Sequence, residues 1–272
     1  MGFKDFIQLN QSVPDVRSDV LFEFFGGFLV FTNSTMMIML ILVLFAIFGV
    51  FVVRRFSLQP KLIQSYTEII YEGILSLTDS ITGSRKHSKY IFPVVATLVI
   101  YIAVANSIGL IPGITSVTYG GVSLFRAPMS DFNTTLGLAF AIVVALQVIS
   151  ISEWGVLGYL SRFFQFHTVY RGFKRGFKAG LMSIIEFIIG LLDIISEIAK
   201  IVSLSFRLFG NVFASEILLA ILLGTVAYVL PSVWMAMSLL TGIIQAIVFG
   251  ALTAAYYSFA IKPDDEDLIE AS

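Results

Sequence analysis

The chain has no cysteine. Disulfides, thiolate metal sites and cysteine nucleophiles are therefore excluded. It has only two histidines, His87 and His167, and both fall in expected loops, where they read as surface residues. No metal site is expected and no cofactor. Charge is scarce: 13% of 272 residues, against about 25% in an ordinary soluble domain. The net charge of −1 leaves no basic field for nucleic acid. No P-loop pattern occurs, so no nucleotide site is assigned. The start, Met1-Gly2-Phe3-Lys4-Asp5, lacks a cleavable signal pattern, because the first long apolar run begins near Phe24. Ile7 and Gln8 do not supply the Ser or Thr that myristoylation at Gly2 requires.

What is present is apolar residue, 57% of the chain, with a mean hydropathy of +0.93. This is the composition of an all-α membrane protein. A crossing takes about 20 apolar residues, and five stretches supply them, at about 28–53, 90–112, 132–152, 181–223 and 231–261. Pro112-Gly113 is expected to end the second, and Pro231 to start the last. A sixth segment, 60–82, repeats Leu62, Ile63, Tyr66, Ile69, Ile70, Ile74, Leu77 and Ile81 at helical spacing, with Glu68, Glu72 and Asp79 elsewhere. It reads as an interfacial amphipathic helix with a protein partner on its acidic side, or as a helix packed on neighbouring spans. The expected organisation is an external N-terminal segment over 1–27, one helical membrane domain over 28–261, and an acidic tail over 262–272.

Basic residues set an orientation. Twelve fall on the side that holds Arg54: Arg54, Arg55, Lys61, Arg85, Lys86, Lys89, Arg162, Arg171, Lys174, Arg175, Lys178 and Lys262. Lys4, Arg17 and Arg126 fall on the other, and Lys200 and Arg207 at membrane depth. The positive-inside rule then puts the N-terminus outside and the C-terminus inside, in keeping with five crossings. The fourth stretch is too long for a direct crossing. Forty-three helical residues reach about 65 Å, against a hydrocarbon core of about 30 Å. It has to tilt steeply or break, and with the last span it forms a long, strongly tilted helical hairpin.

Arg207 lies in Ser203-Leu204-Ser205-Phe206-Arg207-Leu208-Phe209-Gly210-Asn211. A guanidinium stays protonated at any ordinary pH. At bilayer depth its charge costs from about 3 to more than 10 kcal/mol, depending on how it is estimated. It needs a partner, a water-filled cavity, or both. At about 100° per residue, Ser196, Lys200, Asp193, Asn211, Ser203, Glu186 and Glu197 fall within about 80° of Arg207 and form one stripe. Glu216 falls near 180°, on the opposite face. Two separated polar environments on one helix suit two aqueous half-paths that do not join. Alternatively, Asp193, Glu197 and Lys200 interact only within the helix, where Glu197 and Lys200 are spaced i,i+3. Arg207 has no acid at i±3 or i±4.

At these residues the chain resembles subunit a of rotary F-type ATP synthases. The 203–211 run is similar to that family's signature around its essential arginine, and Glu216 stands where the family has an acidic residue. Phe31-Thr32-Asn33-Ser34, Ala105-Asn106-Ser107-Ile108-Gly109-Leu110-Ile111-Pro112-Gly113, Ser130-Asp131-Phe132-Asn133-Thr134-Thr135-Leu136 and Gln245-Ala246-Ile247-Val248-Phe249 match in order, so the resemblance covers roughly 28–261.

The resemblance implies a proton-translocating stator subunit that is not an enzyme on its own. It would lie against a c-ring of carboxylate-bearing hairpins, with peripheral-stalk b subunits and the rest of the F1Fo complex as partners. Arg207 would separate two offset half-channels, with Asn211, Glu216, Gln245 and Ser238 on the outer path. Asp193, Glu197, Lys200, Ser203 and Glu186 would lie on the inner one. The membrane would be an energy-coupling one, bacterial plasma membrane in preference to mitochondrial inner membrane. Three departures stand out. Ser238 occupies a position where many relatives have histidine, glutamate or glycine, so no Glu–His relay is available. Ile201 replaces a common proline, and the basic stretch 162–178 is long.

Two other classes fit less well. A secondary transporter calls for internal repeats and paired broken spans, and neither is found. An intramembrane hydrolase needs a nucleophile–base or metal-ligand set, and no histidine lies in a span. Glycosylation patterns at Asn10, Asn33 and Asn133 include two that adjoin spans. Gly172, Gly176 and Gly180 recur among basic residues and suggest packing rather than a phosphate site.

Overall fold

The computed structural model describes residues 18–24, 29–54, 62–111, 113–114, 117–119, 122–163, 177–225 and 229–261. Most of the N-terminal segment, the tail 262–272 and most of the basic stretch 162–178 lie outside the described residues. The protein is an all-α membrane protein with two short hairpins. Strands β1 (Val20–Phe24) and β2 (Leu29–Thr32) pair antiparallel, as do β3 (Thr118–Tyr119) and β4 (Val122–Ser123). The helices are α1 (Asn33–Arg54), α2 (Leu62–Thr82), α3 (Arg85–Ile108), α4 (Phe132–Phe163), α5 (Phe177–Thr225) and α6 (Val229–Ala260).

Four helical stretches are long and apolar enough to cross a membrane among the described residues: Asn33–Arg54, Arg85–Ile108, Phe132–Val156 and Val229–Ala260. The 49-residue α5 is unbroken and reaches about 74 Å at 1.5 Å per residue. Of the two solutions open to so long a helix, tilt or breakage, the chain adopts the unbroken one.

Several boundaries differ from the sequence expectation for identifiable reasons. The first helix begins at Asn33, because the preceding residues pair as a strand. Thr32 caps it: the Thr35 amide donates to Thr32 Oγ1 at 3.2 Å. Asn33 Nδ2 donates to Asp19 at 3.3 Å, and the Ser18 and Ser34 hydroxyls meet at 2.5 Å, so the β1–β2 hairpin is tied to this helix start. α3 starts at Arg85, earlier than expected, after a turn at Gly83 (φ +71°) whose amide returns to Asp79 O. That left-handed conformation favours glycine at a helix end. α3 stops at Ile108, before Pro112.

α4 is two pieces joined at Gly155 (φ 69°, ψ 158°). Tyr159 Oη donates to Gln147 Oε1 at 2.7 Å. Twelve residues of straight helix would separate them by about 18 Å, so the break folds the second piece back on the first.

Contacts fix the arrangement. Asn106 meets Gly242 and Val99 faces Gly250, so α3 and α6 are antiparallel. Ser215 pairs with Ser238, and Lys200 lies over Tyr256, which makes α5 and α6 an antiparallel hairpin. Thr135 meets Ser205 and Gln147 meets Glu197, so α4 runs against α5. The shared core includes Ile91, Val95 and Ile102 from α3, Leu204 and Leu208 from α5, and Phe249 and Tyr257 from α6. α2 packs on α3 and α6 with Ile74, Leu75 and Thr78 buried, while Leu62, Tyr66, Ile69 and Ile70 remain exposed. Its second half thus follows the packed alternative. α1 is buried only around Asn33, Ser34, Met37 and Ile41.

Candidate functional site

The segment around Arg207 is two-faced. Leu204, Ser205 and Leu208 are completely buried, held from behind by the start of α4. Thr135 Oγ1 lies 3.4 Å from Ser205 Oγ, and the Phe132 ring lies 5.2 Å from Phe206 and 5.6 Å from Phe209. α4 itself starts firmly: Asp131 accepts from the Asn133 amide at 3.1 Å and from Thr134 Oγ1 at 3.2 Å, an N-cap. The other face carries Ser203, Phe206, Arg207 and Gly210, all exposed. Arg207 has no ion-pair partner among the described residues. An arginine in an apolar helix therefore points away from its own chain.

The residues expected on the outer path form a second environment. Asn211, Ser215 and Glu216 of α5, Ser238 and Gly242 of α6, Asn106 of α3 and Ala127 line one cavity of about 50 Å³. One water needs roughly 10–15 Å³, so the space admits a few. The Ser238 hydroxyl pairs with that of Ser215. Asn106 Nδ2 donates to Gly242 O at 3.1 Å. Asn106 Oδ1 and Gln245 Nε2 are buried without a hydrogen-bond partner among the described residues. Glu216 lies beside Ser130 and in Coulombic range of Arg126.

The inward-side candidates divide. Lys200 Nζ donates to Glu197 Oε1 at 2.6 Å and sits 5.0 Å from the Tyr256 ring centroid. Gln147 Nε2 donates to the other Glu197 oxygen, and Tyr159 donates to Gln147. Glu197 and Lys200 thus belong to a clasp joining α4, α5 and α6, as the helix-pairing alternative has it, extended across helices. At the same end, Ser150 Oγ and Trp154 Nε1 donate to Ala260 O at 3.1 and 3.0 Å, satisfying a helix-terminal carbonyl. Asp193 is half-buried and engaged in an interaction of its own. Ser203 lies on the Arg207 face. The Glu186 side chain lies outside the described residues.

Arg126, Ser130, Asn106 and Gln147 were not singled out as site residues by the sequence. Arg126 counted only as an outer-side charge, although its i,i+4 spacing to Ser130 next to Asp131 carried a signal.

Comparison with known proteins agrees with this geometry. The family model described as ATP synthase A chain matches residues 34–258. ATP synthase subunit a of Desulforamulus reducens is 35% identical over 207 residues, covering 73% of this chain and 67% of that one. The subunit a of Desulfotalea psychrophila is 34% identical over 216 residues, covering 77% and 78%. That of Aliarcobacter butzleri is 30% identical over 214 residues, covering 79% and 82%. With a match that reaches from the first membrane helix to the last and includes the arginine-bearing one, the chain belongs to the ATP synthase subunit a family.

Proposed function

We propose that this chain supplies two offset proton half-channels, separated by Arg207, to a rotating c-ring. The coarser statement is direct: it is the membrane proton-channel subunit of an ATP synthase complex and not an enzyme by itself. The observation that carries the finer reading is the exposed Arg207, without an ion-pair partner among the described residues, on a helix buried at Leu204, Ser205 and Leu208. Lipid cannot hold that charge, whereas a neighbouring subunit bearing a carboxylate can.

The mechanism follows from charge. A ring carboxylate arriving opposite Arg207 is favoured in its ionised form. It gives up its proton to the inner path and is blocked from passing one straight to the other side. The outer path uses the cavity with Asn211 and Glu216, with Ser238 and Gln245 on the adjoining helix. The inner path uses Asp193 and Ser203, on the clasp side of Arg207, with Glu197, Lys200 and Glu186 beside it. Peripheral-stalk b subunits complete the stator. The N-terminus lies outside and the C-terminus inside a bacterial plasma membrane. The bacterial relatives and the 12-to-3 basic asymmetry support this placement.

Arg207→Ala should abolish proton-driven ATP synthesis in inverted vesicles while the chain still inserts. Arg207→Lys should fail as well, because a compact, strongly hydrated ammonium does not replace the delocalised guanidinium. Near-parental synthesis by either variant refutes the role given to Arg207.

A further inference from the structure

We propose that Arg126 is the positioning residue of the outer path: acting through Ser130, it orients the Glu216 carboxyl and supplies the fixed positive charge beside it. The inference rests on the reading of Glu216 as the outer-path relay. It concerns a residue outside the two helices, α5 and α6, that carry the expected path.

The geometry begins with a segment of non-helical backbone inside the protein. Ala127 is 2% exposed, and Met129 and Ser130 are fully buried in a short 3-10 turn, Pro128–Ser130, that packs against α5. Irregular backbone among spanning helices is tolerated only where protein buries it or a polar cavity adjoins it. Ala127 lines the same cavity as Glu216. The turn is self-bonded, with Ser130 Oγ donating to Ala127 O at 2.9 Å.

Arg126 grips this turn at two points. Its Nε donates to Ser130 Oγ at 3.1 Å and an Nη to Ser130 O at 3.4 Å. Ser130 is also the side chain set beside the Glu216 carboxyl, and the guanidinium is a charge within reach of that carboxyl. The alternative charged neighbour is occupied: Asp131 bonds the first turn of α4. The other polar groups at the cavity, Asn106, Asn211, Ser215 and Ser238, are neutral. Among the described residues no histidine lines it. A guanidinium does not titrate in the working range, so its charge is the same whether Glu216 holds a proton or has passed it on. That constancy suits a group that biases a relay without competing for its proton.

The two roles of Arg126, charge and grip, separate by substitution. Arg126→Gln removes the charge. It should move the outside-pH profile of proton-driven ATP synthesis upward by about one unit or more, with the complex still assembled. Arg126→Lys keeps the charge and loses the two-point grip. It should keep the profile's position and lower the rate several-fold, and Ser130→Ala should do the same. In a Glu216→Gln background, Arg126→Gln should add nothing, because the coupled partner is gone.

If Arg126→Gln keeps both the parental rate and profile while Glu216→Gln stops transport, Arg126 is only a structural residue and the proposal is overturned. If Arg126→Gln does not assemble, Arg126→Lys and Ser130→Ala decide. A parental rate in both overturns the proposal, and a lowered rate with an unmoved profile supports it. If Glu216→Gln itself runs at the parental rate, the underlying outer-path reading has failed and Arg126 falls with it.

Discussion

Gly250 is the position where adding one methyl group should do most damage. It lies on α6 where that helix crosses α3, and the two backbones meet closely. A Cβ at Gly250 would sit 2.3 Å from Val99 Cγ2 and 3.4 Å from Val95 Cγ1. Carbon atoms rest about 3.5–4.0 Å apart, so Gly250→Ala demands a retreat of about 1.2 Å or more at Val99. Val99 cannot swing away easily. It is β-branched in a helix, where one χ1 rotamer dominates, and it is only 7% exposed. Overpacking of this kind costs about 1–3 kcal/mol.

The displacement also has a functional address. Eight residues earlier on the same helix, Gly242 O accepts from Asn106 at 3.1 Å, and Ser238 and Gly242 line the Glu216 cavity. Gly250→Ala should therefore lower both the thermal stability of the purified complex and its proton pumping. The companion Val99→Ala removes the offending methyl and should restore both in the double variant. The assay is a thermal melt of the detergent-solubilised complex, with pumping measured in vesicles from the same preparation. A single variant as stable as the parent, or no rescue by Val99→Ala, would refute the packing argument.

Two further outcomes are expected. Because the chain has no cysteine, single introduced cysteines report topology cleanly: an impermeant thiol reagent added from outside should label Ser123→Cys and spare Ser84→Cys, and the reverse pattern would invert the orientation. Glu197→Ala leaves Lys200 without its 2.6 Å partner and Gln147 without an acceptor. With side-chain exposures of 20% and 18%, the loss should cost about 1–3 kcal/mol, short of the 3–5 typical of a fully buried pair. It should show as a lower melting temperature with pumping per assembled complex nearly unchanged; a loss of pumping without a loss of stability would place Glu197 on the inner path.

The helices were legible because burial in lipid leaves a coarse mark: long uncharged runs and basic flanks. The ends were less so. Leu29–Thr32 is as apolar as the helix after it, and only pairing with Val20–Phe24 makes it a strand, a partnership that no periodicity encodes. The break at Gly155 hides for the opposite reason. Glycine inside an apolar run is common in membrane helices, and what distinguishes this one is its φ of 69°. That angle in turn is what lets Tyr159 reach back to Gln147.

The site was legible wherever a charge had no local explanation. Arg207 lacks any acid within a turn, so spacing alone marked it as a charge that its own helix does not satisfy, and it is exposed in the structure. Lys200 and Glu197 had a local explanation, and the structure adds the cross-helix members, Gln147, Tyr159 and Tyr256, that turn a pair into a clasp. Arg126 was hidden by its setting. In a loop between spans, a basic residue counts toward orientation and nothing more, until the loop proves to fold inward and bury Ser130 against Glu216. The same charge does both jobs for one physical reason. A guanidinium at this end of the bundle resists transfer into lipid, so the chain gains by turning it toward the buried turn and the Glu216 carboxyl beside it. The inward-folding Ala127–Ser130 turn is the structure that makes this contact possible.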